Sequence, residues 1–413
     1  FRSQPKSLII ASFAMLGFAA LPGMPSLVFV VLAVLVATLG AVLIRQRRPR
    51  AEAVAAVVPP EQNGDYDIRE FFPCRTFLMQ FHPDQNREQV VDLIRQVRQR
   101  RNQLVCQFGI TLPSFDIEYV KHLAADEFCF QVYEVPVLRA TFTEKMLAVE
   151  RTLIAELPAG AVEGQAVRGE ADLLWIPADD PLLLDADLAP SSSAQLIIGR
   201  MFRAMQSCGP RFIGLQESKA ILSWLEREQP ELAQEMQRAL PLSRFAAVLQ
   251  RLASECVPLR AIRPIAEALV EHGQHEREVT ALTEHVRVAL KSLIFHQYCG
   301  PQGLLVWMLT PETEDLLRDS QRQTQTDTFF ALSAEASEQM VDQLRAAFPL
   351  RAREPAVLLV AHDLRSSLRT LLQDEFHHVP VMSFAELHSD AQVKVLGRLD
   401  LDERLTLADE NAA

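Results

Sequence analysis

The chain has 413 residues, 49% hydrophobic and 23% charged, and carries a formal net charge of −12. Residues 1–50 hold six Lys/Arg and no acid, which leaves 35 basic against 53 acidic residues beyond, a net −18 for that part. Phosphate-backbone binding needs clustered Lys and Arg, so this acidic remainder excludes nucleic acid as the main partner.

Two apolar stretches open the chain. Ser7–Pro22 and Met24–Ile44 contain no charged residue. The second has 21 residues, and at a rise of 1.5 Å per residue it crosses a hydrocarbon core of ~30 Å. Pro22-Gly23 interrupts the helical pattern, so residues 1–44 read as a two-helix transmembrane hairpin. A secretory signal would show one short apolar core and no second span. Arg2 and Lys6 precede the hairpin, and Arg45, Arg47, Arg48 and Arg50 follow it. The positive-inside rule then places both ends on the cytoplasmic side. An opening at Phe1, just before a span, reads as the tail of a longer protein. Residues 45–65 form a linker: the basic exit is followed by small, polar, Pro-containing sequence, within which Ala51–Val58 is alternatively a short helix.

About 350 residues beyond the linker exceed what one core usually serves, so several subdomains are expected. Thr76–Gln80 alternates like a strand. Arg87–Arg101 places apolar residues at 90, 91, 94 and 97, a helical spacing. Val105–Leu112, Phe115–Tyr119 and Glu127–Glu134 read as strands, with Pro113 and Pro136 as punctuation. The stretch Lys145–Glu156 reads as a helix, Ala171–Ile176 as a strand and Asp179–Pro190 as an acidic loop. Ser191–Ser193 offers an N-cap for a helix through Met205.

From Gln216 the pattern becomes helix after helix: Glu217–Arg227, Ser243–Glu255, Arg260–Glu271 and Thr283–Leu293. Mixed structure returns with Leu304–Leu309 as a strand and Glu335–Ala347 as a helix. Ala356–Ala361, Asp363–Asp374 and Val379–Phe384 give a strand, helix and strand, the order of a right-handed parallel unit. Asp402–Ala413 is acidic and terminal, and 404–413 is expected to be a flexible tail.

Chemical motifs are sparse. Neither Gly-x4-Gly-Lys-Ser/Thr nor Gly-x-Gly-x-x-Gly occurs, and the Ala-His-Asp turn after Leu358 lacks the glycines that phosphate approach requires. The six cysteines show no Cys-x-x-Cys spacing and read as free thiols. His377 and His378, beside Asp374 and Glu375, suggest a solvated helix end rather than a metal cluster, because adjacent side chains diverge. His272 and His275 share a helical edge without a third ligand. No nucleophile elbow is present. No catalytic residue, metal or cofactor is expected, and the chain reads as a non-enzyme.

Several segments together carry a family likeness: VPLRAIRPIAEAL (257–269), LTEHVRVALKSLI (282–294), PAVLLVAHDLRSSLRTLLQDEF (355–376) and VPVMSF (379–384), behind a membrane hairpin with a basic exit. In order and spacing they resemble the large export-gate component of type III secretion systems, the family shared by flagellar FlhA and injectisome SctV. The resemblance covers nearly the whole chain. Residues before Trp175-Ile176 read VRGEADLL rather than the flagellar Asp-Pro-x-Phe-Gly, so the likeness is to injectisome members.

The resemblance implies an α+β, multi-subdomain cytoplasmic region behind the last two membrane spans. Subdomain 1 (mixed α/β) would comprise 66–142 and 186–211, with a small α/β subdomain 2 inserted at 143–185. An all-helical subdomain 3 (212–300) and an α/β subdomain 4 (301–403) would follow. It further implies a homo-oligomeric ring of nine subunits at the bacterial inner membrane, in contact with its lipid. Expected partners are secretion chaperone–effector complexes, a gatekeeper protein, other export-apparatus components and the stalk of the ATPase complex. Ser191, Ser192 and Ser193 fall where the family lines a chaperone or substrate cleft, although a plain helix N-cap accounts for them equally well. Arg260, Arg263 and Glu267, at three- and four-residue spacing, are candidates for the ring interface or for an ordinary solvated face. A secondary transporter with a regulatory cytoplasmic domain is the alternative.

Overall fold

The computed structural model describes residues 73–401, except 110, 155, 165–171, 185–187, 324–327, 350–354, 374 and 389. The expected hairpin, the linker and the tail lie outside the described residues. Among the described residues, no helix is long and apolar enough to cross a membrane.

The chain begins with β1 (Phe77–Phe81), all five residues of which are buried. Next comes α1 (Arg87–Phe108), then β2 (Phe115–Tyr119), β3 (Glu127–Val132) and β4 (Val135–Thr141). These strands form a sheet in the order β2-β1-β3-β4, with β1 parallel to β2 and antiparallel to β3. The expected strand at Val105–Leu112 is instead the last turn of α1. Leu104 and Phe108 continue the buried stripe of Val90, Leu93, Ile94 and Val97, and Gly109 closes the helix in the left-handed conformation at φ 74°. Helical periodicity and a glycine cap outweigh the β-branched Val105.

A second correction concerns 145–156. Met146–Glu150 is β5, a strand paired antiparallel with β7 (Leu173–Pro177), which also carries the short β6 (Val162–Glu163). The MLAVE segment is compatible with either period. Burial of Val149 with Leu174 and Ile176 decides for the strand.

Helix α2 (Ser193–Cys208) returns to the first sheet and packs on α1. Six helices follow: α3 (Leu215–Glu228), α4 (Pro230–Ala239), α5 (Leu242–Ser254), α6 (Ile262–His272), α7 (Val279–Ala289) and α8 (Lys291–Tyr298). Pro230 opens α4 at a first-turn position, where a missing N–H costs nothing. The expected helix Thr283–Leu293 is two helices, broken at Leu290.

The C-terminal part comprises β8 (Leu304–Leu309), α9 (Pro311–Ser320), β9 (Gln321–Gln323), β10 (Thr328–Phe330), α10 (Ala334–Ala347), β11 (Ala356–Val360), α11 (His362–Leu372), β12 (Val381–Ser383) and β13 (Val393–Leu399). β9 and β10 form a separate antiparallel pair. The main sheet is wholly parallel, in the order β12-β11-β8-β13. β11 is apolar throughout because both faces are covered. Val357 and Leu359 join the core shared with the helices, whereas Leu358 and Val360 face the core under α9–α11. β13 and α9 are not apparent from the sequence. β13 is mostly exposed, and its Gly397 leaves room for the Trp307 ring, which a Cβ there would strike. Gly397→Ala should destabilise the chain by about 1–3 kcal/mol, read from a lower urea midpoint at unchanged m.

Candidate functional site: a buried charge hub and the cleft beside it

Four elements bring five charged side chains together out of water. Glu255 lies just past α5. Glu284 and Arg287, three apart, share one face of α7. Arg365 comes from α11, and Glu386 from the turn after β12. The side chains of Arg287 and Glu255 are each 3% exposed, that of Glu386 1% and that of Arg365 0%.

Arg365 uses both edges of its guanidinium. Nε donates to Glu284 Oε2 at 2.5 Å and Nη2 to Glu284 Oε1. Nη1 and Nη2 donate to Glu255 at 2.6 and 3.2 Å. Arg287 extends the chain of pairs, with Nη1 at 2.8 Å from Glu255 Oε2 and Nη2 at 2.7 Å from Glu386 Oε1. The second Glu386 oxygen accepts the Ser383 N–H at 2.7 Å. Burial by itself would push the Glu255 carboxyl up. The Arg365 and Arg287 charges outweigh it and hold the group down, at about 2. Burial likewise opposes charge on Arg365, but Glu255 and Glu284 raise it above its ordinary value.

This is a lock between the helices and the parallel sheet. A buried pair of this kind gains little net stability over an apolar contact, yet losing one member strands the other's charge.

Arg369, one turn further along α11, lies beside the hub and is 6% exposed. Its Nη1 donates to the carbonyls of Val379 at 2.7 Å and Phe376 at 3.4 Å. Burial lowers its pKa, partly offset by Glu255. It faces an inner cavity of about 280 Å³, whose walls include Phe202, Gln206, Cys256, Tyr298 and His377. A larger cleft of about 680 Å³, with Arg100 and Arg203 in its wall, shares Phe202, Tyr298, Pro355, His378 and Pro380 with that cavity.

His377 and His378 are therefore wall residues of these cavities, not a solvated helix end. Burial first, then the His378 and Arg369 charges, press His377 down to about 4. His378 Nε2 lies 3.2 Å from the Phe348 carbonyl oxygen. Among the described residues no cluster has the makings of a metal site. All six cysteines are free, with Cys74 and Cys106 exposed rather than buried.

The serines at 191–193 serve the start of α2. Ser191 exchanges backbone hydrogen bonds with Ala148, and Ser192 closes a capping box with Gln195. Ser193 Oγ donates to the Thr143 carbonyl at 3.3 Å. None of the three lines the two cavities. Ser192→Ala should cost about 0.5–2 kcal/mol of stability in thermal unfolding, with Ser192→Asp retaining most of it.

Arg263 and Glu267 form an exposed pair on α6 at 2.8 Å. Arg260 does not share their face, because it precedes α6 and donates through Nη1 to the Cys106 carbonyl at 2.6 Å. There it caps the last turn of α1, where the helix dipole favours a cation.

A family model described as the FHIPEP family matches residues 1–392. The chain belongs to the FHIPEP family. Among relatives, the hypersensitivity response secretion protein HrpI of Pseudomonas syringae pv. syringae is 59% identical over 414 residues, covering 100% of this chain and 59% of that protein. The harpin secretion protein HrpI of Erwinia amylovora is 52% identical, covering 99% and 59%. The chain thus spans about three fifths of the length of these FHIPEP relatives. The cryo-EM structure of nonameric EPEC SctV-C is 26% identical with a TM-score of 0.63, covering 80% of this chain and 99% of that one. The Chlamydia pneumoniae CdsV protein shares the fold, with a TM-score of 0.66 at 23% identity, 80% coverage of this chain and 99% of that one. These matches favour the injectisome side of the family, as the residues before Trp175 imply.

No charge pattern read from the sequence singled out the hub. Its signal was the placement of Glu284, Arg287 and Arg365 at positions facing inward on amphipathic helices, where charge is otherwise rare.

Proposed function

We propose that this chain is the C-terminal part of the membrane-anchored export gate of a type III protein secretion system. Its soluble region would form a nine-membered ring that receives chaperone–substrate complexes and a gatekeeper, and passes unfolded chains to the export pore. The observation that carries this reading is whole-chain similarity to Hrp secretion proteins, together with a fold like that of the nonameric SctV-C. A solved complex of CdsV with CdsO supports contact with a further secretion component. In this reading the hairpin 1–44 anchors the protein in the inner membrane and the linker 45–65 sets the height of the ring. Subdomains 1 to 4 keep the boundaries implied by the resemblance, and the protein works without catalysis or cofactor.

The test is the mass of residues 51–413 by light scattering over a concentration series, with electron-microscope images of the largest species. Rings of about nine subunits are expected. A stable two-fold particle would overturn the reading in favour of a regulated transporter. Arg263→Glu should weaken ring formation while leaving the thermal midpoint of the subunit nearly unchanged, because an exposed pair adds little to folding. Unaltered assembly would remove Arg263 and Glu267 from the interface.

A further inference from the structure

The wall of the inner cavity holds two buried nitrogens without a hydrogen-bond partner among the described residues. Arg369 Nη2 is buried and has no hydrogen-bond partner among the described residues, and the residue as a whole is 6% exposed. No carboxylate of the described residues forms an ion pair with it. His377 Nε2 in the same wall is also buried and unpartnered. The Tyr298 oxygen accepts from Gln297 Nε2 at 3.1 Å, which leaves its own O–H to donate, and burial keeps that phenol protonated.

Glu255 is the one carboxylate among the described lining residues of the two cavities, and Arg287 and Arg365 already occupy it. The neighbouring cleft contributes Arg100 and Arg203. A cationic group kept out of water without a counter-charge is costly, so a site built this way favours an anionic acceptor.

We propose that this cavity binds a small oxyanion, a phosphate or a carboxylate, through the Nη2–H of Arg369, with the Tyr298 hydroxyl and the His377 Nε2 edge as flanking contacts. With Nη1 held by the Val379 and Phe376 carbonyls, Nη2 supplies the charge-assisted donor to the anion. The carboxylate could be the end of a peptide lying in the larger cleft, and phosphate would enter as the free ion. The site stands independently of ring assembly and of the secretion reading.

The experiment is isothermal titration calorimetry of the 413-residue chain in detergent. The probes are inorganic phosphate, acetylglycine and acetylglycine amide. Saturable one-to-one binding of phosphate or acetylglycine is expected, with none for the amide; the stronger of the two anions identifies the source. Arg369→Gln should weaken it at least tenfold and Tyr298→Phe a few-fold, whereas Arg238→Gln, an exposed side chain paired to Glu235 within α4 and in neither cavity wall, should leave it unchanged. Absence of saturable heat with both anions would overturn the proposal and leave a cavity that holds water. So would an affinity untouched by Arg369→Gln. If circular dichroism shows that Arg369→Gln does not fold, Tyr298→Phe decides alone, and an unchanged affinity in that variant overturns the site.

Discussion

Arg365→Met is expected to destabilise the chain by about 3–5 kcal/mol, the usual cost of stranding buried charges by removing one partner. Arg365 is the largest side chain that is fully buried, and it holds Glu284 and Glu255 at once. Urea unfolding measures the effect, and the loss should fall on the contacts of α11 with α7 and with the end of α5, which the two Arg365 pairs bridge. The double variant Arg365→Met, Glu284→Leu should recover more than half of the loss, since Arg287 still pairs with Glu255 and Glu386. A single variant as stable as the parent would show that the hub is not closed in solution. The pH dependence has a definite sign. Glu255 titrates near 4.5 when unfolded and near 2 when folded, so its contribution is complete above about pH 4.5. It is lost as the pH falls from there towards 2. Glu255→Gln should flatten the stability profile in that window.

Phe77→Ala is the other large effect, expected at about 3–5 kcal/mol. The Phe77 ring is fully buried and stacks on Phe115 at a centroid distance of 5.4 Å. It meets Phe130 edge-on at 5.4 Å and Phe212 at 5.0 Å. Phe212 belongs to the turn that leads into α3, so one ring ties the first sheet to the start of the helices. Phe77→Leu keeps most of the volume and should cost less than about 1.5 kcal/mol. Equal losses for the two variants would mean that the aromatic contacts, rather than the cavity, set the energy.

The strands and helices with one unambiguous period were legible in the chain itself. β1, β2, β3, β8 and β11 fell close to their expected places, as did α2, α3, α5 and α10. The helices carried a buried stripe at period 3.6, and β1 and β11 short continuous apolar runs bounded as strands. Errors arose where both periods fitted. Val105–Phe108 went to the helix because its stripe ran on to a glycine cap, and Met146–Glu150 went to the strand because β7 lay ready to pair with it. The second choice is not recorded in the local sequence. The same holds for the site. Ser192 announces its capping role by type and spacing, whereas the Arg260 contact with α1 joins residues 154 positions apart.

What the sequence determined alone was the acidic balance beyond residue 50, the apolar opening stretches, the succession of mixed, helical and mixed structure, and the family. The tertiary structure decided where the interior charges meet. Glu255, Glu284, Arg287, Arg365 and Glu386 are unremarkable acids and bases in the chain, and they become a unit because four elements converge where water is excluded. There a charge must find its counterpart or leave an opening for one, and no local pattern records which.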